Sequence, residues 1–468
     1  MKKSFHIETS LLQTISSAQA YHYHIIPVAA DDDRVTFKSD NTTETLKQEL
    51  EIVLGKKIVL ISESSENIKQ YLATNFRQLN ANRTEDLHYS TDFLEKLLFS
   101  AKAIGSSDIH FEPYELKCRV RFRLDGKLKE YYLISLQEYP VIVNKLKIKA
   151  GLDISEKRLP QDGRITVKTN TDEFDIRVSS LPTLHGEKIV LRILSKDANH
   201  INLDDLGFTD LELKAYKETI KKPNGIVLIS GPTGSGKTTT LYATLKLLND
   251  DQTNILTIED PIEYTLEGIN QVQLKENIGL DFASTLRTFL RQDPDVIMVG
   301  EIRDAKTANM AIRAALTGHL VLSTIHTNSA WATVSRLIDM GIPSFLIAST
   351  LNVSVAQRLV RKLCTDCKEE HSITPDIFPS SFKIPSNLNL HFKAVGCNSC
   401  YHTGYKDRKA IYEIIPITKT LVNHIKNNDL EIDSYIAEHK IKTLKDNAIA
   451  MVKYGITSVD EIYALLAN

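Results

Sequence analysis

The chain has 468 residues, 42% hydrophobic and 25% charged, the composition of a soluble globular protein too long for one ordinary core. Its 57 Lys and Arg against 59 Asp and Glu leave a formal charge of −2, so no global field draws in nucleic acid or anionic lipid. No apolar run approaches the ~18 residues of a spanning helix, and the opening MKKSFHIETSLLQ lacks the apolar centre of a secretory signal. The expected location is cytoplasmic, with membrane contact only through partners.

Residues 1–82 read as a small α/β module. Strand-like runs at YHYHIIPVA and KKIVLIS flank a helical stretch over Thr43–Leu54, and polar Asn80–Asp86 reads as a linker. From 87 to 200 the pattern becomes α+β. Helix-patterned FLEKLLFSAKAIG precedes KCRVRFRLDGKLKEYYL, whose Asp125-Gly126 is a strong hairpin turn, and GRITVKT, EFDIRVSS and EKIVLRIL add strands. From 205 to 360, apolar strands (GIVLIS, NILTIE, DVIMVG, HLVLST) alternate with helical patterns (TTLYATLKLL, FASTLRTFL, AKTANMAIRAAL). That alternation predicts a parallel sheet wrapped by helices. A cysteine-bearing segment, 361–412, and a helical tail, 413–468, complete the chain.

GPTGSGKT, residues 231–238, fits G-x-x-x-x-G-K-[ST] between the strand GIVLIS and a helix. Such a loop turns backbone amides inward around phosphate oxygens at a helix N-terminus. Gly231, Pro232, Thr233, Gly234, Ser235, Gly236, Lys237, Thr238 and Thr239 are the expected nucleotide-binding set. Lys237 would meet the β/γ-phosphates and the Thr238 hydroxyl a magnesium ion.

Phosphoryl transfer also needs an acid near the metal, a carboxylate for water and positive charge for the transition state. ILTIEDPIEY offers Glu259, Asp260 and Glu263; DVIMVGEIRD offers Glu301, Arg303 and Asp304; GHLVLSTIHTNS offers His319 and His326. Strand ends in a parallel sheet converge on the ligand crevice. Taken alone, each has a bland alternative as a solvated loop residue. In DVIMVGEIRD the apolar run ends in Gly300-Glu301, with Gly300 expected to let the chain turn tightly.

Four of the five cysteines stand as two C-x-x-C pairs, Cys364/Cys367 and Cys397/Cys400, with 29 residues between them, leaving Cys118. This spacing fits a structural tetrahedral zinc site; free thiols or redox pairs are the alternatives. Residues 361–413 hold eight Lys and Arg against six Asp and Glu, which is not the footprint of a nucleic-acid-binding ribbon.

SSDIHFEP, KRLPQDGR, GPTGSGKTTT, TIEDPIEY, LRQDPDVIMVGEIRD, TGHLVLSTIHTN, AQRLVRKLC and the cysteine pairs together resemble the secretion-superfamily traffic ATPases, and more narrowly those of type II secretion and type IV pilus assembly. The resemblance runs from about 87 to 415. It implies a RecA-like P-loop core preceded by a PAS-like α+β domain and a shortened first N-terminal domain. It further implies a homohexameric ATP hydrolase using ATP and Mg2+, with Zn2+ on the cysteines. Its partners would be an inner-membrane platform protein and cytoplasmic adaptors, its motion a rotation between the second and the C-terminal domain, and its location peripheral to the inner membrane.

By the same resemblance Glu263 activates water, Glu301 acts on the magnesium side and His326 reaches towards the γ-phosphate; the reverse assignment of the two glutamates stays open. Arg177 and Arg192 match arginines that the second domain brings onto the phosphates, and Arg287, Arg291 and Arg303 others near the site or subunit interface. The first domain and the cysteines separate assembly from retraction motors. A DNA-uptake motor and a catalytically silent scaffold remain the rival readings.

Overall fold

The structure, a computed structural model, describes residues 23–31, 33–75, 85–86, 93–168, 173–194 and 202–467, with isolated positions between 11 and 20. The first module holds β1 (Ile25–Ala30), β2 (Arg34–Ser39), α1 (Glu44–Leu54), β3 (Lys57–Ser62) and α2 (Ser65–Asn75). β1 pairs antiparallel with β2, which pairs parallel with β3. The Thr43 side chain caps α1 by accepting from the Leu46 amide, and Gly55 ends it at φ 64°. Ile26, Phe37, Leu50 and Ile58 fill its core. Residues 80–84 of the expected linker lie outside the described residues. Its end, β4 (Glu85–Asp86), is a strand of the next sheet and pairs with Tyr132 and Leu133.

That sheet takes α3 (Phe93–Ala103), β5 (Asp108–Pro113), β6 (Cys118–Leu124), β7 (Lys127–Ile134), α4 (Tyr139–Lys149), β8 (Gln161–Lys168), β9 (Glu173–Thr183) and β10 (Gly186–Leu194). Its order is β4-β7-β6-β5-β10-β9-β8. Ile109, Phe111, Val120 and Phe122 face α3 and α4 in one core. The period of two then sends Asp108, Glu112, Arg119, Arg121 and Arg123 to the opposite face. There Glu112 accepts from Arg119 (3.0 Å) and Arg121 (2.8 Å) and lies 3.0 Å from Lys188 Nζ. Buried Lys147 is satisfied by Glu187 and the Glu156 carbonyl, both at 2.7 Å.

The C-terminal sheet is built on α5 (Asp210–Ile220), β11 (Gly225–Ser230), α6 (Lys237–Leu248), β12 (Ile255–Glu259), β13 (Asn270–Gln273), α7 (Phe282–Phe289), β14 (Val296–Val299), α8 (Ala305–Leu316), β15 (Leu320–Ile325), α9 (Ala332–Asp339), α10 (Ser344–Thr350) and β16 (Leu351–Leu363). After the small hairpin β17 (Glu369–Ser372) and β18 (Leu390–Lys393) comes β19 (Tyr405–Pro416). The order is β13-β12-β14-β15-β11-β16-β19, parallel throughout except for β19. The α/β fold class expected from the alternation is thus the one observed.

Two boundaries differ. β16 and β19 pair across the divisions expected at 360/361 and 412/413, because the cysteine segment is an excursion between two strands of one sheet. The tail comprises α11 (Lys419–Lys426), α12 (Asp433–Glu438), α13 (Leu444–Lys453) and α14 (Val459–Ala467). Its Leu421, Ile425, Val452 and Ile462 enter the same core as β12, β14 and β15.

Candidate functional site

All six residues of β11 are buried, and the chain turns from its end into α6 through the glycine loop. Gly231 sits at φ 151°, and a Cβ there would lie 2.5 Å from the Gln357 carbonyl and 2.6 Å from Ser235 Oγ, so only glycine fits. Lys237 Nζ donates to the carbonyls of Gly231 (2.9 Å) and Pro232 (3.0 Å). Burial lowers its pKa, with Glu301 pulling in the opposite direction. Ser235 Oγ is buried without a hydrogen-bond partner. An orphan hydroxyl, a buried ammonium and a glycine-rich turn at a helix N-terminus form a donor set suited to phosphate oxygens.

The loop opens onto a cavity of about 470 Å3 lined by Thr233, Thr238, Thr239, Arg192, Glu263 and Glu301 among others. Glu301 is held at its rim by Arg303, which donates to Oε1 and also lies 3.7 Å from Asp260. His326 Nε2 lies 3.5 Å from Glu301 Oε2. The carboxyls of Glu301 and Asp260 and the hydroxyl of Thr238 are hard oxygen donors of the kind Mg2+ takes. Gly300 serves closeness rather than a left-handed turn. Its φ is ordinary, but a Cβ would stand 3.3 Å from the Ile258 carbonyl and 3.4 Å from Glu259 Cα.

Two arginines of the second domain lie at or beside the cavity. Arg177 on β9 donates to Glu263 Oε2 (3.3 Å) and the Ile262 carbonyl (2.6 Å), spanning the two domains. Arg192 on β10 lines the cavity but is tethered to Asp108 at 2.9 Å.

Other expected residues lie elsewhere or act differently. His319 precedes β15, at the end of the sheet away from the glycine loop, and its Nδ1 lies 2.8 Å from the Ala314 carbonyl. Arg287 and Arg291 are exposed at and just beyond the end of α7 and do not line the cavity. Asp304 caps α8 by accepting from Thr307 N. Glu259 is buried against Thr257 Oγ1 (2.7 Å), Gln271 Nε2 (3.1 Å) and the Tyr242 hydroxyl.

Sequence reasoning gave no role to Gln357 and Arg358. Gln357 accepts from Thr240 Oγ1 (2.8 Å), and Arg358 donates to the Asn328 carbonyl (2.9 Å), bracing the glycine-loop helix and the loop after β15. Their signal was faint: a Gln-Arg pair in the middle of a strand that also carries Asn352, Ser354, Arg361 and Lys362.

The four cysteines meet. Their Sγ atoms all lie within 4.8 Å of one another, and Cys364–Cys397, Cys367–Cys400 and Cys397–Cys400 are each 3.8 Å apart. That is the edge of a tetrahedron whose centre lies about 2.3 Å from each sulfur, the Zn–S distance. Amides of Gly396, Cys397 and Gly404 point at the sulfurs from 3.2–3.3 Å, as thiolates require. The cluster is therefore compatible with zinc. Just past Cys400, the Tyr401 carbonyl accepts from Lys129 of the second domain, and Arg408 lies 3.7 Å from Asp125 at the hairpin turn.

Among the described residues no helix is long and apolar enough to cross a membrane. The chain resembles the structure of the Legionella pneumophila ATPase DotB (TM-score 0.63, 22% identity, covering 82% of this chain and 98% of that one). It also resembles the pilus retraction motor PilT with bound ADP (TM-score 0.53, 25% identity, 78% and 94%).

Relatives by sequence include the type IV pilus assembly ATPase PilB of Pseudomonas aeruginosa, 47% identical over an aligned stretch of 382 residues that covers 79% of this chain and 66% of that protein. The type II secretion system ATPase E of Vibrio cholerae is 44% identical over 391 residues (81% and 77%). The Myxococcus xanthus PilB is 39% identical over 493 residues (98% and 87%). The family described as type II/IV secretion system protein matches residues 83–464. With the phosphate loop, the crevice acids and the cysteine cluster on one chain, that match makes it a member of this family of secretion and pilus-assembly ATPases.

Proposed function

We propose that the chain is a Mg2+-dependent ATP hydrolase that works as a homohexamer. Its hydrolysis would power assembly of a type II secretion pseudopilus or a type IV pilus by domain rotation against an inner-membrane platform protein. The observation that carries the reading is Arg177, supplied by the second domain, on the crevice glutamate Glu263 of the C-terminal domain. A cation from a separate domain makes turnover conditional on how the two domains close. In this reading Lys237 and the loop amides hold the β/γ-phosphates. Thr238 and Glu301 hold the magnesium ion, which when bound neutralises phosphate charge. Glu263 takes the proton of the attacking water at a carboxylate oxygen. His326 and the released Arg177 and Arg192 address the γ-phosphate, while Arg287 and Arg291 fall to subunit contacts. The cysteines hold a structural zinc, since four thiolates leave no open position. The protein would sit in the cytoplasm, against the inner membrane through platform and adaptor proteins.

The test is Mg2+-dependent ATP hydrolysis by the purified chain beside Glu263→Gln and Glu301→Gln, with oligomer mass recorded. Glu263→Gln should bind nucleotide and not turn over; Glu301→Gln should need more Mg2+. A hexamer that hydrolyses nothing with lipid present sinks the motor reading.

A further inference from the structure

We infer that Tyr242 is a positioning residue for Glu263, an inference that rests on the reading of Glu263 as the group that activates water. Tyr242 lies on α6, which begins at Lys237, and its side chain is fully buried. Its hydroxyl donates to Glu259 at the end of β12 and accepts from the backbone N–H of Glu263 at 3.3 Å. Gln271 on β13 points Nε2 at Glu259 Oε1 (3.1 Å) and at the Tyr264 carbonyl (3.2 Å). The Tyr242 ring meets Tyr264 edge-on, centroids 4.6 Å apart. One phenol oxygen thus ties the phosphate-loop helix, the last residue of β12 and the loop that carries Glu263.

The direction of these bonds is fixed by chemistry. Glu259 is acceptor-only when ionised, so the phenol proton goes to it, leaving the oxygen's lone pairs for the Glu263 N–H. Burial, together with Glu259, raises the phenol pKa and keeps that proton on oxygen. Arg177 grips the other side of the same loop at the Ile262 carbonyl and the Glu263 carboxylate. Arg177 travels with the second domain, whereas Tyr242 travels with Lys237. The hydroxyl therefore sets the distance from phosphate cradle to base by a single helix, independent of domain position. A misplacement near 1 Å costs on the order of 10²-fold in rate.

The experiment is Tyr242→Phe in the full chain, which keeps the ring and removes only the oxygen. Tyr216→Phe is the matched control, since Tyr216 is equally buried and bonds Thr244 on the same helix. In Tyr242→Phe, kcat should fall by about 10- to 100-fold with the KM for MgATP little changed, and amide exchange of the peptide holding Glu263 should quicken. Tyr216→Phe should do neither. In a Glu263→Gln background the Tyr242→Phe change should lower residual turnover no further, because the two act as a unit.

Wild-type kcat in Tyr242→Phe overturns the inference, as does unchanged exchange at Glu263 or full additivity with Glu263→Gln. Wild-type turnover in Glu263→Gln alone is the separate failure. It removes the reading of Glu263 as the base, and the inference with it.

Discussion

Arg177 Nη1 lies 3.3 Å from Glu263 Oε2, the first on the sheet of the second domain and the second on the loop that follows β12. The guanidinium already commits Nη1 to Glu263 and Nη2 to the Ile262 carbonyl, so fewer of its five N–H donors are left for a phosphate. Under the proposed function this contact would be a resting clamp, with nucleotide competing for the arginine.

Arg177→Ala should accordingly lower kcat on the order of 10³-fold, the low end for a transition-state arginine. Arg177→Lys should recover little, since an ammonium lacks the planar fork. Steady-state hydrolysis at saturating MgATP checks both, and wild-type kcat in Arg177→Ala would show that the clamp has no catalytic half.

The charged face of the second domain gives an acid-stability prediction. Burial would push the Glu112 carboxyl up, but hydrogen bonds from Arg121, Lys188 and Arg119 outweigh it and hold the pKa at about 2. A folded-state pKa below the unfolded one contributes stability that is complete above the ordinary value of about 4.3 and lost as pH falls towards 2. Amide exchange of residues 106–113 at a series of pH values, corrected for intrinsic rates, should show protection fading across that window. Glu112→Gln should cost roughly 3 kcal/mol at pH 7, because it leaves the partly buried Arg119, Arg121 and Lys188 without the anion they share. A flat response from pH 5 to 2.5 contradicts the assignment.

Metal analysis of freshly purified, reduced protein should find close to one zinc per chain. Cys364→Ser or Cys400→Ser should lose it and expose residues 364–404 to protease, leaving nucleotide affinity nearly intact. Zinc that stays at full stoichiometry in both variants would place it elsewhere.

Gly300→Ala introduces a Cβ against backbone that cannot rotate away. It should cost about 1–3 kcal/mol in stability and displace Glu301, raising the Mg2+ concentration for half-maximal turnover. Thermal melts and Mg2+ titrations read the two effects, and a variant unchanged in both would show that the strand ends give more freely than their packing implies.

What was readable from sequence and what was not divides along physical lines. The glycine loop, the hairpin at Asp125-Gly126 and the period-two strands of the second domain are local codes, set by φ preference and alternation, and they appear where expected. The glutamates of the crevice were legible because parallel strands must end together. His319 misled because a residue beside a strand gives no sign of which end of the sheet it occupies. Gln357, Arg358 and Tyr242 escaped because their roles lie in long-range hydrogen bonds, and Tyr242 satisfies an apolar pattern with its ring while its oxygen does something else. The tail's destination was likewise hidden, since an amphipathic helix does not name the surface that takes its apolar face.

The β16–β19 ribbon has a mechanical meaning. Cys364 follows the last residue of β16, and six residue steps of strand, about 20 Å at ~3.3 Å each, separate Leu363 from Gln357, which grips the glycine-loop helix through Thr240. Paired strands resist stretching and bending far better than a loop of equal length. The cysteine cluster thus stands at the far end of a paired ribbon anchored beside the glycine loop. Under the proposed function a pull on the cysteine cluster would travel along these paired strands to the glycine loop, and movement of the loop would travel outward by the same path.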